Sequence, residues 1–489
     1  MKKLKVLFSF ALVLALLASM FTFSASAEPN TEAGADPNAL KPGSDKVYYI
    51  KDAPRNENHE VIGELEGDGS GSDPDNPLQT YDHASFDPTA ERKKWSFMTA
   101  LYQATEILAE EGGTIVICGP VYIGEEECND NGSIVRDSYT AEYKNNVIKI
   151  TSVYDGVDYR KEAGAKLTIA SPAMISFRGS TILENLDIET VGTGRALTFA
   201  NYCTLIGEGI NCYPSDGEFE GVASHYPSIA AGTRWESSNG QNPTLLVKSG
   251  TYNRVCGAQL GTAKNYNTEN ANVYLTIEGT TRVLGNVYGT VQGTSDFSGN
   301  VNITIKGGYF EGDIWGVGPT GMLNEDGIVS ISISGGDFSN AYSICQAPMN
   351  MTNNLPARAA IDFSRWKGDT LALAYANVLV SDITEIRYPA GVTADKLLKA
   401  LEEASAATEP ADSEEATQPP VEDQTPDATE GVTQDPVADE KAPETQVTAP
   451  DVDDNNSGST AVIIIVAVVA VVIAGVVVAI VLKKKKAAK

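Results

Sequence analysis

Four segments between residues 245 and 338 repeat one another at a nearly constant interval. They read LLVKSGTY, LTIEGTTR, ITIKGGYF and ISISGGDF, and their last branched residues are Val247, Ile277, Ile305 and Ile333. The intervals between those residues are 30, 28 and 28. A repeat of about 20 to 50 residues is typical of solenoids, in which each unit buries its apolar face against its neighbours. The interval therefore predicts a stack of similar units.

Each repeat begins with an alternating strand and turns at glycine. In VNITIKGG, the apolar Val301, Ile303 and Ile305 alternate with polar residues, which predicts one buried face and one exposed face. Glycines and β-branched residues disfavour a helix here. A second strand follows with the pattern apolar–X–Gly, at Val255-Cys256-Gly257, Val287-Tyr288-Gly289 and Ile314-Trp315-Gly316, whereas the fourth copy ends Ile344-Cys345-Gln346. Each coil is thus predicted to hold two strands, a tight corner and a loop of variable length.

Stacked coils would align equivalent side chains in columns. Successive coils should lie about 4.8 Å apart, the spacing of paired strands. One outer column then aligns Lys248, Glu278 and Lys306, whose charges alternate, and each exposed pair should contribute about 0.2–1 kcal/mol. A neighbouring column aligns three hydroxyl residues, Thr276, Thr304 and Ser332. Both columns favour the same register.

The N-terminal half fits the same architecture. VYYIKD at 47–52 predicts a first strand, and residues 96–111 place Phe97, Leu101, Ala104 and Leu108 on one helical stripe before GGTIVICG. This order and the repeats resemble the right-handed parallel β-helix of the pectate lyase-like superfamily, over about residues 45–390. The resemblance implies an all-β solenoid over 112–350. The helix at the end of the N-terminal segment 28–111 would close its open end.

Residues 351–403 are predicted to close the other end of the solenoid. The run DTLALAYANVLVSDITEIRYP, which begins at Asp369, favours one or two closing strands. Residues 393–407 favour a short helix with Thr393 as N-cap.

The two ends of the chain predict export and membrane anchoring. Residues 1–27 combine early lysines, an apolar run and the small residues Ala25-Ser26-Ala27, the pattern of a secretory signal peptide. The predicted transmembrane helix, 460–482, includes 22 uncharged residues from Ala461 to Leu482, enough to cross a bilayer at about 1.5 Å per residue. The basic tail 483–489 predicts a cytoplasmic C-terminus and an extracellular N-terminal domain.

The layout resembles a Gram-positive surface protein, but NNSGST, rather than an LPxTG-like pentapeptide, precedes the apolar segment. We therefore expect a single-pass anchor retained in the cell membrane. Between anchor and solenoid, residues 404–459 hold 15 acidic residues, one lysine, seven prolines and no aromatic residue. Such a segment cannot bury a core, so it is predicted to be a disordered linker. The net charge of −29 argues against nucleic acid as a partner.

Six cysteines are spread over the extracellular part of the sequence. Cys118–Cys128 and Cys203–Cys212 could close short loops as disulfides, and buried free thiols are an equally good interpretation. Cys256 and Cys345 complete the set. Zinc is not indicated, because the sequence has no CxxC motif and no Cys/His cluster.

Catalytic motifs of the resembled superfamily are missing. The only Asp-Asp pair, Asp453-Asp454, lies in the linker, and neither Gly-His-Gly nor a Trp-Ile-Asp-His type of motif is present. The resemblance implies an arginine base for a polysaccharide lyase. Arg254 and Arg282, which are 28 residues apart in RVCG and RVLG, are the candidates, with Glu311 and Asp313 as acidic companions. A solvated charge cluster is the alternative interpretation.

The loop GDGSGSDPDNP, 67–77, is a candidate calcium site. Asp68, Asp73 and Asp75 would supply hard oxygen ligands in a flexible loop. The spacing differs from the EF-hand pattern, and aspartate, glycine and proline also form ordinary turns.

Tyr288 and Trp315 are candidate sugar contacts. If Val287 and Ile314 point inward, alternation turns the two aromatic residues outward on adjacent coils, where they either stack against a sugar or pack under neighbouring loops. With Glu311 and Asp313 they form the predicted ligand-binding set. We expect non-catalytic binding of a polysaccharide or cell-surface ligand, or adhesion. A polysaccharide lyase and a structural surface component are the alternatives.

Overall fold

The computed structural model describes residues 36–56, 62–64, 67–80, 99–124, 137–170, 174–232, 242–260, 272–290, 296–297, 299–318, 322–323, 327–347 and 358–408. The predicted signal peptide, transmembrane helix and basic tail lie outside these residues. The described residues all belong to one compact unit, Met1–Asp412. Within the described ranges, no helix is both long enough and apolar enough to span a membrane.

The described part of the chain is mostly β-structure. The strands are Val47–Ile50 (β1), Gly113–Ile117 (β2), Pro120–Ile123 (β3), Asp137–Thr151 (β4), Val153–Tyr154 (β5), Val157–Asp158 (β6), Lys166–Ile169 (β7), Met174–Glu184 (β8), Asp187–Thr190 (β9), Ala196–Thr198 (β10), Cys203–Ile206 (β11), Asn211–Pro214 (β12), Ser228–Ala230 (β13), Thr244–Val247 (β14), Thr251–Tyr252 (β15), Val255–Cys256 (β16), Val273–Ile277 (β17), Arg282–Val283 (β18), Val287–Tyr288 (β19), Asp296–Phe297 (β20), Val301–Ile305 (β21), Tyr309–Phe310 (β22), Ile314–Trp315 (β23), Met322–Leu323 (β24), Ile328–Ile333 (β25), Ile344–Cys345 (β26), Arg358–Asp362 (β27), Val380–Ser381 (β28) and Glu385–Arg387 (β29). The α-helices are Ala100–Ile107 (α1), Tyr159–Ala163 (α2), Thr370–Val378 (α3) and Ala394–Thr408 (α4).

The strands stack in parallel columns, which confirms a parallel β-solenoid. The first column runs β14, β17, β21, β25, β27 and β29. Its register pairs Val247, Ile277, Ile305 and Ile333 in turn, as the repeat predicts. A second column runs β13, β16, β19, β23, β26 and β28.

A third column of very short strands was not predicted from the sequence. It contains β15, β18 and β22, and an isolated bridge from Tyr309 to Asp337 extends it by one coil. Each of these coils therefore has three strands rather than two. Phe310, in β22, is buried as expected and stacks on Phe338 of the next coil, with ring centroids 5.1 Å apart.

The outer columns follow the predicted register. Glu278 Oε1 lies 3.7 Å from Lys248 Nζ, and its Oε2 lies 3.1 Å from Lys306 Nζ. Thr276, Thr304 and Ser332 are also paired in turn. An asparagine ladder at 242, 272 and 300 was missed: each Oδ1 accepts from a backbone N–H of the following coil, at 2.7, 3.0 and 3.0 Å.

The apolar–X–Gly pattern is explained by close contact between coils. A Cβ atom on Gly257 would lie 2.3 Å from the carbonyl oxygen of Gly289, and one on Gly289 would lie 2.3 Å from that of Gly316. Real Cβ atoms do not approach a carbonyl so closely, so only glycine fits between these coils. Glycine is required here for lack of space and not for its backbone conformation, because Gly257, Gly289 and Gly316 do not have a positive φ.

Helices pack at both ends of the described solenoid. Helix α1 buries Leu101 and Ala104, and its C-cap residue, Leu108, is buried as well. Thr99 caps the start of the helix by accepting from Tyr102 N. Phe97 lies outside the described residues. At the C-terminal end, residues 370–378 form helix α3, which was not predicted, because Asp369 caps an alanine-rich run and accepts from Ala372 N at 2.7 Å. The predicted closing strands follow it as β28 and β29.

The predicted C-terminal helix is confirmed as α4, and it ends at Thr408, one residue beyond the expected end at 407. Residues 404–408, which were also assigned to the linker 404–459, are therefore helical. The remainder of the linker lies outside the described residues.

The cysteines of the described ranges are free thiols, so Cys203–Cys212 is not a disulfide. Burial raises the pKa of each to about 11 or 12, namely Cys118, Cys203, Cys212, Cys256 and Cys345. Cys128, the other candidate partner, lies outside the described residues.

Candidate functional site

The predicted charge cluster divides between two columns of the solenoid. Arg282 begins β18 and pairs in register with Thr251 and Tyr309. Arg254 instead precedes β16, where its carbonyl accepts from Ile229 N in the second column. RVCG and RVLG thus occupy different strands, and the two arginines are not equivalent positions of neighbouring coils. Glu311 lies beside Arg282, whereas Asp313 lies in the same column as Arg254.

A cleft of about 580 Å³ opens beside the third column. It is lined by Tyr309, Glu311, Ser339, Asn340, Ala341 and Tyr342. Side chains alternate in direction along a strand, so Tyr309 and Glu311, which flank the inward-pointing Phe310, both point outward. The others belong to the turn between Phe338 and β26, where Asp337 Oδ1 accepts from Ser339 N and Phe338 O accepts from Ala341 N. We call this feature the tyrosine cleft.

Polar contacts fix the floor of the tyrosine cleft. Asn340 Nδ2 donates to the phenolic oxygen of Tyr309. The Arg282 guanidinium lies 5.0 Å above the Tyr309 ring and 3.6 Å from Glu311 Oε1. This places a cation–π contact and an ion pair on the same arginine.

Tyr342 is the most exposed aromatic residue of the cleft, with 66% of its surface accessible. Its backbone N–H makes a long hydrogen bond, 3.4 Å, to Gly312 O of the preceding coil. The cleft thus combines an uncovered ring face with a carboxylate, an amide and a hydroxyl. This set can stack on an apolar face and exchange hydrogen bonds with hydroxyl groups.

The predicted pair Tyr288 and Trp315 forms a separate feature, which we call the aromatic strip. The rings are paired across coils with centroids 5.5 Å apart and planes tilted by 41°. Tyr288 is only 4% exposed and packs with Cys256 and Leu260, so its outward direction is confirmed but its ring is covered. Trp315 is partly buried in the same cluster.

Charged groups border the aromatic strip. Burial raises the pKa of Asp313, and the hydrogen bond from Ser343 Oγ to Oδ1, 2.6 Å, opposes that shift. Burial also raises the pKa of Tyr288, which the nearby Arg254 counteracts. In the described part of the chain, the Arg254 guanidinium makes no hydrogen bond or ion pair, so it is available to a ligand.

Two of the three acids predicted as calcium ligands, Asp68 and Asp73, accept hydrogen bonds within the turn itself. Asp68 Oδ1 accepts from Ser70 N at 2.9 Å, and Asp73 Oδ1 accepts from Asp75 N and Asn76 N at 3.0 Å each. Side-chain hydrogen bonds hold the pKa of Asp68 and of Asp73 below its usual value. No group of three His, Cys, Asp or Glu side chains suited to a metal ion occurs among the described residues. Calcium binding here stays a prediction.

Comparison of the chain with protein-family models, curated proteins and solved structures gave no match. The functional assignment therefore depends on the geometry of the tyrosine cleft and the aromatic strip.

Sequence reasoning missed two tyrosines of the cleft. The outward position of Tyr309 could have been predicted, because Tyr309 lies beside the buried Phe310 and side chains alternate along a strand. The position of Tyr342 could not be predicted from the repeats, because Tyr342 belongs to the turn SNAY, which has no counterpart in the other repeats.

Proposed function

We propose that this protein is a membrane-anchored cell-surface protein that binds carbohydrate through the tyrosine cleft without catalysis. The cleft itself supports the proposal, since an exposed tyrosine ring faces a space bordered by hydrogen-bonding side chains. Sugars combine an apolar C–H face with hydroxyl groups, and such a lining matches both. The 66% exposure of Tyr342 is the observation that favours this function most strongly.

The wider assignment is also part of the proposal. The parallel solenoid supports a right-handed β-helix of the pectate lyase-like type. Sequence supports the remaining elements, which are the signal peptide, the acidic linker and the transmembrane helix. Together they would hold the cleft outside the cell.

Replacing Tyr342 by alanine should weaken glycan binding about 2- to 10-fold, because an aromatic contact contributes about 0.5–1.5 kcal/mol beyond area burial. A glycan array probed with the full-length protein in detergent would select an oligosaccharide. Isothermal titration calorimetry would then compare wild type with Tyr342→Ala.

Tyr375→Ala is the matched control. Tyr375 is 49% exposed on helix α3, remote in sequence from the cleft, and its loss should leave affinity unchanged. Equal affinities for Tyr342→Ala and wild type, or an array without any bound glycan, would refute the cleft as a carbohydrate site.

A polysaccharide lyase remains the second candidate, and the free guanidinium of Arg254 favours it. Arg254 lies near Tyr288, and Asp313 follows two coils further along the same column. A lyase would release an unsaturated product that absorbs in the ultraviolet, and Arg254→Ala would abolish that release. Incubation with acidic polysaccharides without new absorbance is the result that the binding function predicts.

A further inference from the structure

We infer that the tyrosine cleft selects uncharged glycans and discriminates against glycans that carry carboxylates. This inference rests on the proposed carbohydrate function and names the class of ligand for that site. Three observations support it: the contacts of Arg282, the charge of the lining and the position of Arg254.

Arg282 is already occupied on two sides. Its guanidinium stands 5.0 Å from the centroid of the Tyr309 ring and 3.6 Å from Glu311 Oε1. A ligand carboxylate that pairs with this arginine would lie close to Glu311 and compete with it for the guanidinium. A sugar hydroxyl needs no such exchange, because it can donate to Glu311 while the ion pair persists.

The lining adds no further positive charge. Of the six lining residues, Glu311 is the one with a carboxylate or ammonium-type charge, and Arg282 lies 3.6 Å from it. A carboxylate inside the cleft would face Glu311 directly, and like charges at short range repel. The chain as a whole, with a net charge of −29, also repels a polyanion at longer range.

An arginine whose guanidinium is free to bind an anion lies instead beside the aromatic strip. The Arg254 guanidinium has no hydrogen bond or ion pair within the described ranges, but it lies in the second column, beside Tyr288. Binding of a uronate there, rather than in the cleft, would be independent of Tyr342. The two features can therefore be separated by substitution.

The test compares a tetrasaccharide of glucose with one of galacturonic acid by calorimetry on the full-length protein. Wild type should bind the uncharged tetrasaccharide at least about tenfold more tightly. Glu311→Gln frees Arg282 and removes the repelling charge, so it should raise the affinity for the galacturonate tetrasaccharide about tenfold or more. The preference for the glucose tetrasaccharide should decrease accordingly.

Glu278→Gln is the matched control. It removes one carboxylate from an ion-paired column outside the cleft, where Glu278 contacts Lys248 and Lys306. Glu278→Gln changes the net charge by the same amount as Glu311→Gln. The preference for the glucose tetrasaccharide over the galacturonate tetrasaccharide should therefore stay as in wild type.

Tighter binding of galacturonate by wild type, or a preference that Glu311→Gln and Glu278→Gln alter equally, would overturn the inference while leaving carbohydrate binding intact. If no uncharged or acidic glycan binds at all, the proposed function itself fails, and the inference fails with it.

Discussion

Gly289→Ala should destabilise the solenoid by about 1–3 kcal/mol or more, since the added methyl group overpacks a contact between two coils. The new Cβ would lie 2.3 Å from Gly316 O and 2.5 Å from a methyl carbon of Val301. Neither neighbour can move freely, because Gly289 N donates to Trp315 O at 2.8 Å and Val301 is fully buried. Thermal unfolding followed by circular dichroism would register the loss as a lower midpoint.

Gly217→Ala provides the comparison for that experiment. No atom lies within 4 Å of a Cβ built on Gly217, and its φ is not positive. Its midpoint should stay close to that of wild type. A Gly289→Ala midpoint that equals the Gly217→Ala midpoint would mean that the coils are not in contact at this corner.

Phe310→Ala should cost about 3–5 kcal/mol of the free energy of unfolding, the usual range for removal of a buried phenylalanine. Phe310 is 1% exposed, stacks on Phe338 and lies in the continuous core of the solenoid. Its removal leaves a cavity between two coils. Denaturant titration monitored by tryptophan fluorescence would measure the change.

Phe219→Ala is the corresponding control, because that ring is 37% exposed on a surface turn and stacks on His225. Its loss should change stability much less. Similar losses for the two variants would contradict the placement of Phe310 in the core. Phe310→Ala should also weaken glycan binding, because Phe310 holds Tyr309 and Glu311 in place on either side.

The repeated part of the fold could be predicted because its signal is periodic. Alternation in Val301–Ile305 and the 28-residue interval fix both the strand direction and the register, and the column at Glu278 follows from them. A two-residue strand such as β18 has no period to detect, so the third column was missed. Helix α3 was missed because its apolar residues suit a strand as well as a helix.

The site was predicted less well than the fold, for reasons that particular residues make clear. Arg254 and Arg282 share the letters RV–G, but one precedes β16 and the other begins β18, so similarity of letters did not mean equivalence of position. Tyr288 does point outward, yet Leu260, from the end of a different coil, helps to cover it. Tyr342 lies in a turn whose length differs between coils, and no periodicity reaches it.

Hydrogen–deuterium exchange of the full-length protein, with and without a saturating uncharged oligosaccharide, tests most directly whether the tyrosine cleft is the binding site. The account predicts slower exchange for the backbone amides of residues 339–342 and 311–312, with exchange at residues 254–258 unchanged. Slower exchange confined to residues 254–258 and 286–288 would place the ligand on the aromatic strip and contradict the central claim.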